Sequence, residues 1–152
     1  MSLTDYSDME QEIKETPDAV ILERGAEVKA RVIAVRSGIG DYGKWYQLTY
    51  DVPDQPLVKE FTDFFSDLID AKKNGNEKQY IKAKRKFKNF ADAFSLDYSK
   101  PFDFEKDTIG LKGWIIAGVK KSDEYGEQNT VSKYIAGPGE GAKAEPVDDI
   151  PF

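Results

Sequence analysis

The spacing of apolar side chains along this chain changes from two residues to about 3.6 and back to two, and that order limits what it can fold into. Val28 to Arg36 reads as a long first strand. Trp45 to Val52 alternates without a break, with Tyr46, Leu48, Tyr50 and Val52 on one face and Trp45, Gln47, Thr49 and Asp51 on the other. Pro53 to Pro56 is a turn, and Leu57 to Phe65 reads as a third strand. From Asn76 the period lengthens. Asn76 suits a helix N-cap with Gln79 as its capping-box partner. Tyr80, Ala83, Phe87, Phe90, Ala91 and Phe94 then form the apolar stripe of a helix, which the Ser99-Lys100-Pro101 break stops. Leu111 to Val119 is a fourth strand, Lys121 to Gln128 a hairpin loop, and Asn129 to Ala136 a fifth strand.

The resulting class is mainly β with one helical insertion, in the order β-β-β-α-β-β. That is the element order of the OB-fold, a five-stranded Greek-key barrel. Its strand 2–3 face and its loops 1–2 and 4–5 bind oligonucleotides or oligosaccharides. A chain of 152 residues suits one such domain with tails. The expected division is an acidic N-terminal extension over 1–26, the barrel over 27–136 and an acidic tail over 137–152. In the extension Leu3, Tyr6, Met9 and Ile13 stand near helical spacing, and Pro17 ends that short helix.

Composition removes several function classes. Cysteine and histidine are both absent. Disulfide frameworks, thiolate metal sites and Ser-His or Cys-His catalysis are therefore out, and no cofactor is expected. No apolar run is long enough to span a bilayer, and the N-terminus lacks the pattern of a signal peptide, so a cytoplasmic protein without membrane contact is expected. The net charge of −6 hides an uneven distribution. Residues 1–27 hold eight acidic and two basic residues, and the tail from Gly137 holds four and one. The middle keeps 19 basic against 16 acidic residues. A mildly basic body between acidic ends resists indiscriminate capture of nucleic acid.

A surface for single-stranded nucleic acid needs cations along the phosphate path and flat rings on which bases stack. The Gly-rich segment Ser37 to Lys44 supplies Tyr42 and Lys44 and runs into Trp45. The fourth strand places Lys112 and Trp114 on one face and continues to Lys120, Lys121 and the loop residue Tyr125. Arg31 and Arg36 on the first strand complete the candidate DNA-binding set, with Lys29 and Arg31 ranked lower because the face they share turns apolar at Ile33 and Val35. Tyr46, Tyr50, Phe87, Phe90 and Phe94 read as core, and Trp114 serves either the core or a stacking platform. Lys78, Lys82, Lys84, Arg85, Lys86 and Lys88 on the helix form a phosphate-binding stripe, a solvated face, or a dock for the chain's own acidic tail.

The tail from Gly137 is too poor in apolar residues to fold alone, yet it closes on Asp148-Asp149-Ile150-Pro151-Phe152. Phe152 can fill a pocket, Pro151 stiffens the approach, and a basic partner residue can pair with the carboxylate. This ending resembles that of bacterial and bacteriophage single-stranded DNA-binding proteins. The body is similar to phage-encoded members of the OB-fold type in the Gly-rich first loop leading into Trp45-Tyr46-Gln47-Leu48 and in the Lys86 to Phe94 helix segment. Leu111-Lys112-Gly113 and Asn129-Thr130-Val131 add to the likeness. The resemblance implies coating and protection of single-stranded DNA during replication, recombination or repair, in a bacterial or phage-infected host cytoplasm. It also implies recruitment of replication, recombination and repair enzymes through Asp148, Asp149, Ile150, Pro151 and Phe152, and no catalysis. The helix-rich insertion around 66–98, the acidic extension and the short linker depart from the tetrameric housekeeping type and leave the oligomeric state open, a homodimer being one option.

Two other readings stand beside this one. The chain is alternatively an adaptor without nucleic-acid affinity that docks a replication or repair enzyme through its acidic Ile-Pro-Phe tail. As a third reading, Asp51, Glu60 and Asp63 with Lys59 suggest a Mg²⁺ nuclease.

Overall fold

A computed structural model describes residues 2–139. The tail tip, Asp148 to Phe152, lies outside the described residues. Five antiparallel strands form one open sheet in the order β3-β2-β1-β4-β5. They are β1 (Glu27–Gly40), β2 (Gly43–Asp51), β3 (Phe61–Ser66), β4 (Lys112–Ser122) and β5 (Gly126–Ile135). The helices are α1 (Glu10–Lys14), α2 (Leu68–Asn74), α3 (Glu77–Phe94) and α4 (Phe104–Asp107).

The long central strand β1 serves two partners. Its first half pairs with β4 and its second half with β2, and Arg31 is registered with both. Between Val32 and Ala34 the β2 register slips by one residue. A second slip separates Ile116 from Ala117 where β4 pairs with β5. Such bulges bend a strand and raise its twist. The edge strands β3 and β5 then meet through side chains, with the Phe65 and Tyr134 rings 6.0 Å apart.

A hydrogen-bonded relay fastens that seam. Tyr134 donates to Asp63 Oδ2 at 2.6 Å, and Lys86 of α3 donates to Asp63 Oδ1 at 2.7 Å. With its one proton directed at Asp63, Tyr134 accepts from the Tyr50 hydroxyl 2.8 Å away. Burial pushes both phenols well above the usual tyrosine range, and the neighbouring Asp63 charge raises them further.

The expected core face of β2 is buried: Tyr46, Leu48, Tyr50 and Val52 all lie inside. Phe90, Ala91 and Phe94 of α3 close over it. Gly113 lets α3 approach, because a Cβ there would overlap the Phe94 ring and press on the Ala93 carbonyl. At the other end the Phe104 ring of α4 stacks on Tyr46, 4.2 Å between centroids and 5° from parallel.

Asn76 caps α3 as expected, its side chain accepting from Gln79 N–H at 2.8 Å. Other expectations need correction. The helix stops at Phe94, well before Pro101, because Ser95 turns left-handed at φ 57°. The third strand begins at Phe61, since Leu57 lies in a turn and Val58 makes only a single bridge, to Val20. The Gly-rich loop is mostly strand, and the β1–β2 turn is only Asp41-Tyr42. The 121–128 loop likewise contracts to a turn over 123–125. In both cases ladder pairing extends into residues whose composition suggested a loop. Helices α2 and α4 were not anticipated. Each is short and starts on an aspartate cap, Asp67 or Asp103.

Residues 2–16 form a 3₁₀ turn and α1, with hydrogen bonds that stay local. The apolar residues Leu3, Tyr6, Met9 and Ile13 remain exposed. The chain joins the sheet only at Val20 to Leu22. There Asn129 receives the Leu22 N–H at 2.7 Å and donates to its carbonyl at 2.9 Å.

Candidate nucleic-acid interface

Opposite the core, the sheet presents a face on which the register aligns side chains in rows. Ser66, Trp45 and Gly38 form the first row, from β3 through β2 to β1. Phe64, Gln47 and Arg36 form the next, followed by Thr62, Thr49 and Ala34. Beyond the bulge, Asp51, Arg31 and Lys112 share a row, and then Lys29 lies beside Trp114. The bulge at Ile33 makes this continuity possible. It returns Ala34 and Arg36 to the face already occupied by Lys29 and Arg31, where unbroken alternation would have put Ile33 and Val35.

Trp45 lies in the end row of the face, close to the β1–β2 hairpin. Its ring meets Phe64 edge-on, 5.5 Å between centroids at 71°. The Arg36 guanidinium lies over the same ring at 5.6 Å, and Arg36 also donates to Gln47 Oε1. A cation over an indole face is attracted by the ring quadrupole, so Arg36 is drawn to Trp45, whose ring also lies against Gly38. Phe64 is 49% exposed, unusual for a phenylalanine in a strand.

Arg31 is already engaged. It binds Asp51 through two hydrogen bonds of 3.1 and 2.5 Å. These bonds and the Asp51 charge raise the Arg31 pKa still further. A phosphate arriving at Arg31 has to compete with Asp51. Lys29 and Lys112 are exposed, and Trp114 is half-buried between Lys29 and Ile135 in its row.

The remaining candidates do not join this face as one site. Lys44 follows the strand alternation away from Trp45, with its ammonium 5.1 Å from the Tyr46 ring centre on the opposite side. Tyr42 and Tyr125 are 56% and 67% exposed, at opposite ends of β3. Tyr42 lines a groove with Phe64, Lys82 and Lys86 beside α3. Tyr125 and Lys120 line another, of about 200 Å³, with Lys59 and Thr62. Lys121 is exposed on the β4–β5 hairpin, opposite Glu127 and near Asp123 and Glu124, so its local field is not basic.

Phe64 is the residue that sequence reasoning missed. Adjacent strand residues face opposite ways, so in Phe64-Phe65 one ring must leave the core when the other enters it. Phe65 is the buried one. The carboxylates of the nuclease reading are committed elsewhere, Asp51 to Arg31 and Asp63 to Lys86 and Tyr134. Among the described residues no three acidic side chains gather into a group able to hold a metal, and no helix is long and apolar enough to cross a membrane.

No protein-family model matches the chain, and no curated protein matches it. The functional reading rests on the sheet face and on the residues that carry the resemblance.

Proposed function

We propose that this chain is a sequence-independent single-stranded DNA-binding protein without catalytic activity, built on an OB-type barrel. The antiparallel connections β1-β2-β3, β1-β4 and β4-β5, the helix between β3 and β4, and the Asp63–Tyr134 closure support that barrel type. The observation that carries the binding reading is the Trp45 cluster: an indole with Arg36 over its ring and Phe64 in an edge-on contact beside it, in rows that continue to Arg31, Lys112, Lys29 and Trp114.

The chemistry favours unpaired bases. A duplex hides its base faces inside the stack, while a single strand offers each as a π-surface. Stacking on an aromatic side chain contributes about 1–3 kcal/mol per base and tolerates any sequence. Arg36, Lys29 and Lys112 beside the rings supply cations for the phosphates, and binding then weakens with salt as counterions are released. In this reading the Asp148 to Phe152 tip recruits the enzymes that act on the coated strand.

The test is titration with oligo-dT and a matching duplex at low and high salt, following tryptophan fluorescence beside a gel shift. The reading requires quenching by the single strand, much less by the duplex, and weakening with salt. Trp45→Ala should reduce affinity about tenfold or more. Silence in both assays overturns it.

A further inference from the structure

We infer that the strand passes round the β3 edge, and that the basic face of α3 holds a second run of its phosphates. This rests on the proposed single-strand binding. Phe64 belongs to two surfaces. On the sheet face it packs against Trp45. At the β3 edge it lines, with Tyr42, a groove of about 350 Å³ that Lys82 and Lys86 also line, Lys86 donating to the Phe64 carbonyl. The same two lysines line the next groove, of about 380 Å³, between α3 and β5.

That second groove is strongly cationic. Lys78, Lys82, Arg85 and Lys133 line it, together with the Lys86–Asp63 ion pair. Asp63 is its one carboxylate among the described lining residues, and Lys86 and Tyr134 already bind it. Lys78 and Lys82 stand four residues apart, about 6 Å along the helix axis, and Lys86, one turn further, is tied to Asp63 and the Phe64 carbonyl. An extended strand repeats its phosphates on a comparable scale. Phe64 links the Trp45 ring to the Tyr42 groove, and Lys82 and Lys86 are shared between that groove and the cationic one. A polynucleotide uses both groups, bases on rings and phosphates on lysines. An acidic peptide would use only the second.

The experiment compares oligo-dT of about 8 and about 30 nucleotides on the full chain and on a Lys78→Ala, Lys82→Ala, Lys133→Ala variant, with folding checked by circular dichroism. All three side chains lie at the surface of the groove. The expected result is short-oligonucleotide affinity within about twofold of the unmodified chain, long-oligonucleotide affinity at least tenfold weaker, and a salt slope lower by about 2 for the long one. The matching triple arginine variant should restore long-oligonucleotide binding. If the alanine variant binds the long strand normally, the second run does not exist, while the sheet-face reading stands. Equal loss at both lengths places these lysines in the primary site and also overturns it. Loss of a Glu-rich peptide with unchanged DNA binding assigns the groove to a protein partner. If the unmodified chain binds neither oligonucleotide, the proposed function fails with it.

Discussion

The Trp45 ring lies against Gly38, where a methyl group would overlap it. Gly38 has no left-handed φ, so the backbone accepts alanine and the ring must give way. Gly38→Ala is therefore a way to move the platform without removing it. We expect a changed tryptophan emission, oligo-dT affinity lower by about 1 kcal/mol, and stability changed by less than about 1 kcal/mol. Displaced emission with unchanged affinity would exclude Trp45 as the stacking surface. Tyr134 makes a second residue-level case. Tyr134→Phe strips the relay of its bond to Asp63, and urea unfolding should show a loss of about 1–3 kcal/mol. The phenols of Tyr50 and Tyr134 are raised in the fold, so an unfolded chain ionises them first. Their contribution is complete below about pH 10 and declines as pH climbs toward the folded values. Alkaline titration should thus unfold the chain progressively above pH ~10, and less steeply in Tyr134→Phe.

At the scale of elements, α3 shows what a sequence states plainly. Its stripe and its cap both sit where the spacing put them, and the β2 core face is buried as the alternation required. Asn76→Ala removes the acceptor for Gln79 N–H, and should lower stability by about 1 kcal/mol, read from the urea midpoint. The less legible parts have physical reasons. A bulge is one residue of register, invisible to a periodicity count, yet it brings Arg36 onto the face of Arg31. Helices α2 and α4 are seven and four residues long, too short to display a period. Glycines at 38, 40 and 43 imply a loop by composition, but Gly38 is required by the ring above it and Gly40 and Gly43 pair across the hairpin end. The candidate site was legible as residue types and not as one patch. Trp45, Arg36, Arg31, Lys112 and Trp114 share a face, whereas Tyr42 lies at its β3 edge beside Phe64, and Lys44 and Tyr125 fall on other sides of the molecule.

Across the whole molecule, charge is divided between a basic middle and acidic ends, and the structure shows how loosely one end is held. Among the described residues, 2–16 hydrogen-bond only with one another, and their apolar side chains are exposed. The first firm attachment is Val20 against Val58, followed by Leu22 on Asn129. Deleting 1–16 removes five acidic residues and one basic one, changing the formal charge from −6 to −2. Since no core residue is lost, the thermal midpoint should move by less than about 2 °C. The electrostatic consequence is separate. A negative segment tethered to the domain repels phosphates that come within a Debye length of it, about 10 Å at 0.1 M salt. Truncation should therefore tighten oligo-dT binding about two- to fivefold at low salt, and the gain should vanish at 1 M salt, where the length falls to about 3 Å. A gain that survives high salt would mean that α1 blocks the face physically. A lower midpoint would mean that the extension packs on the domain.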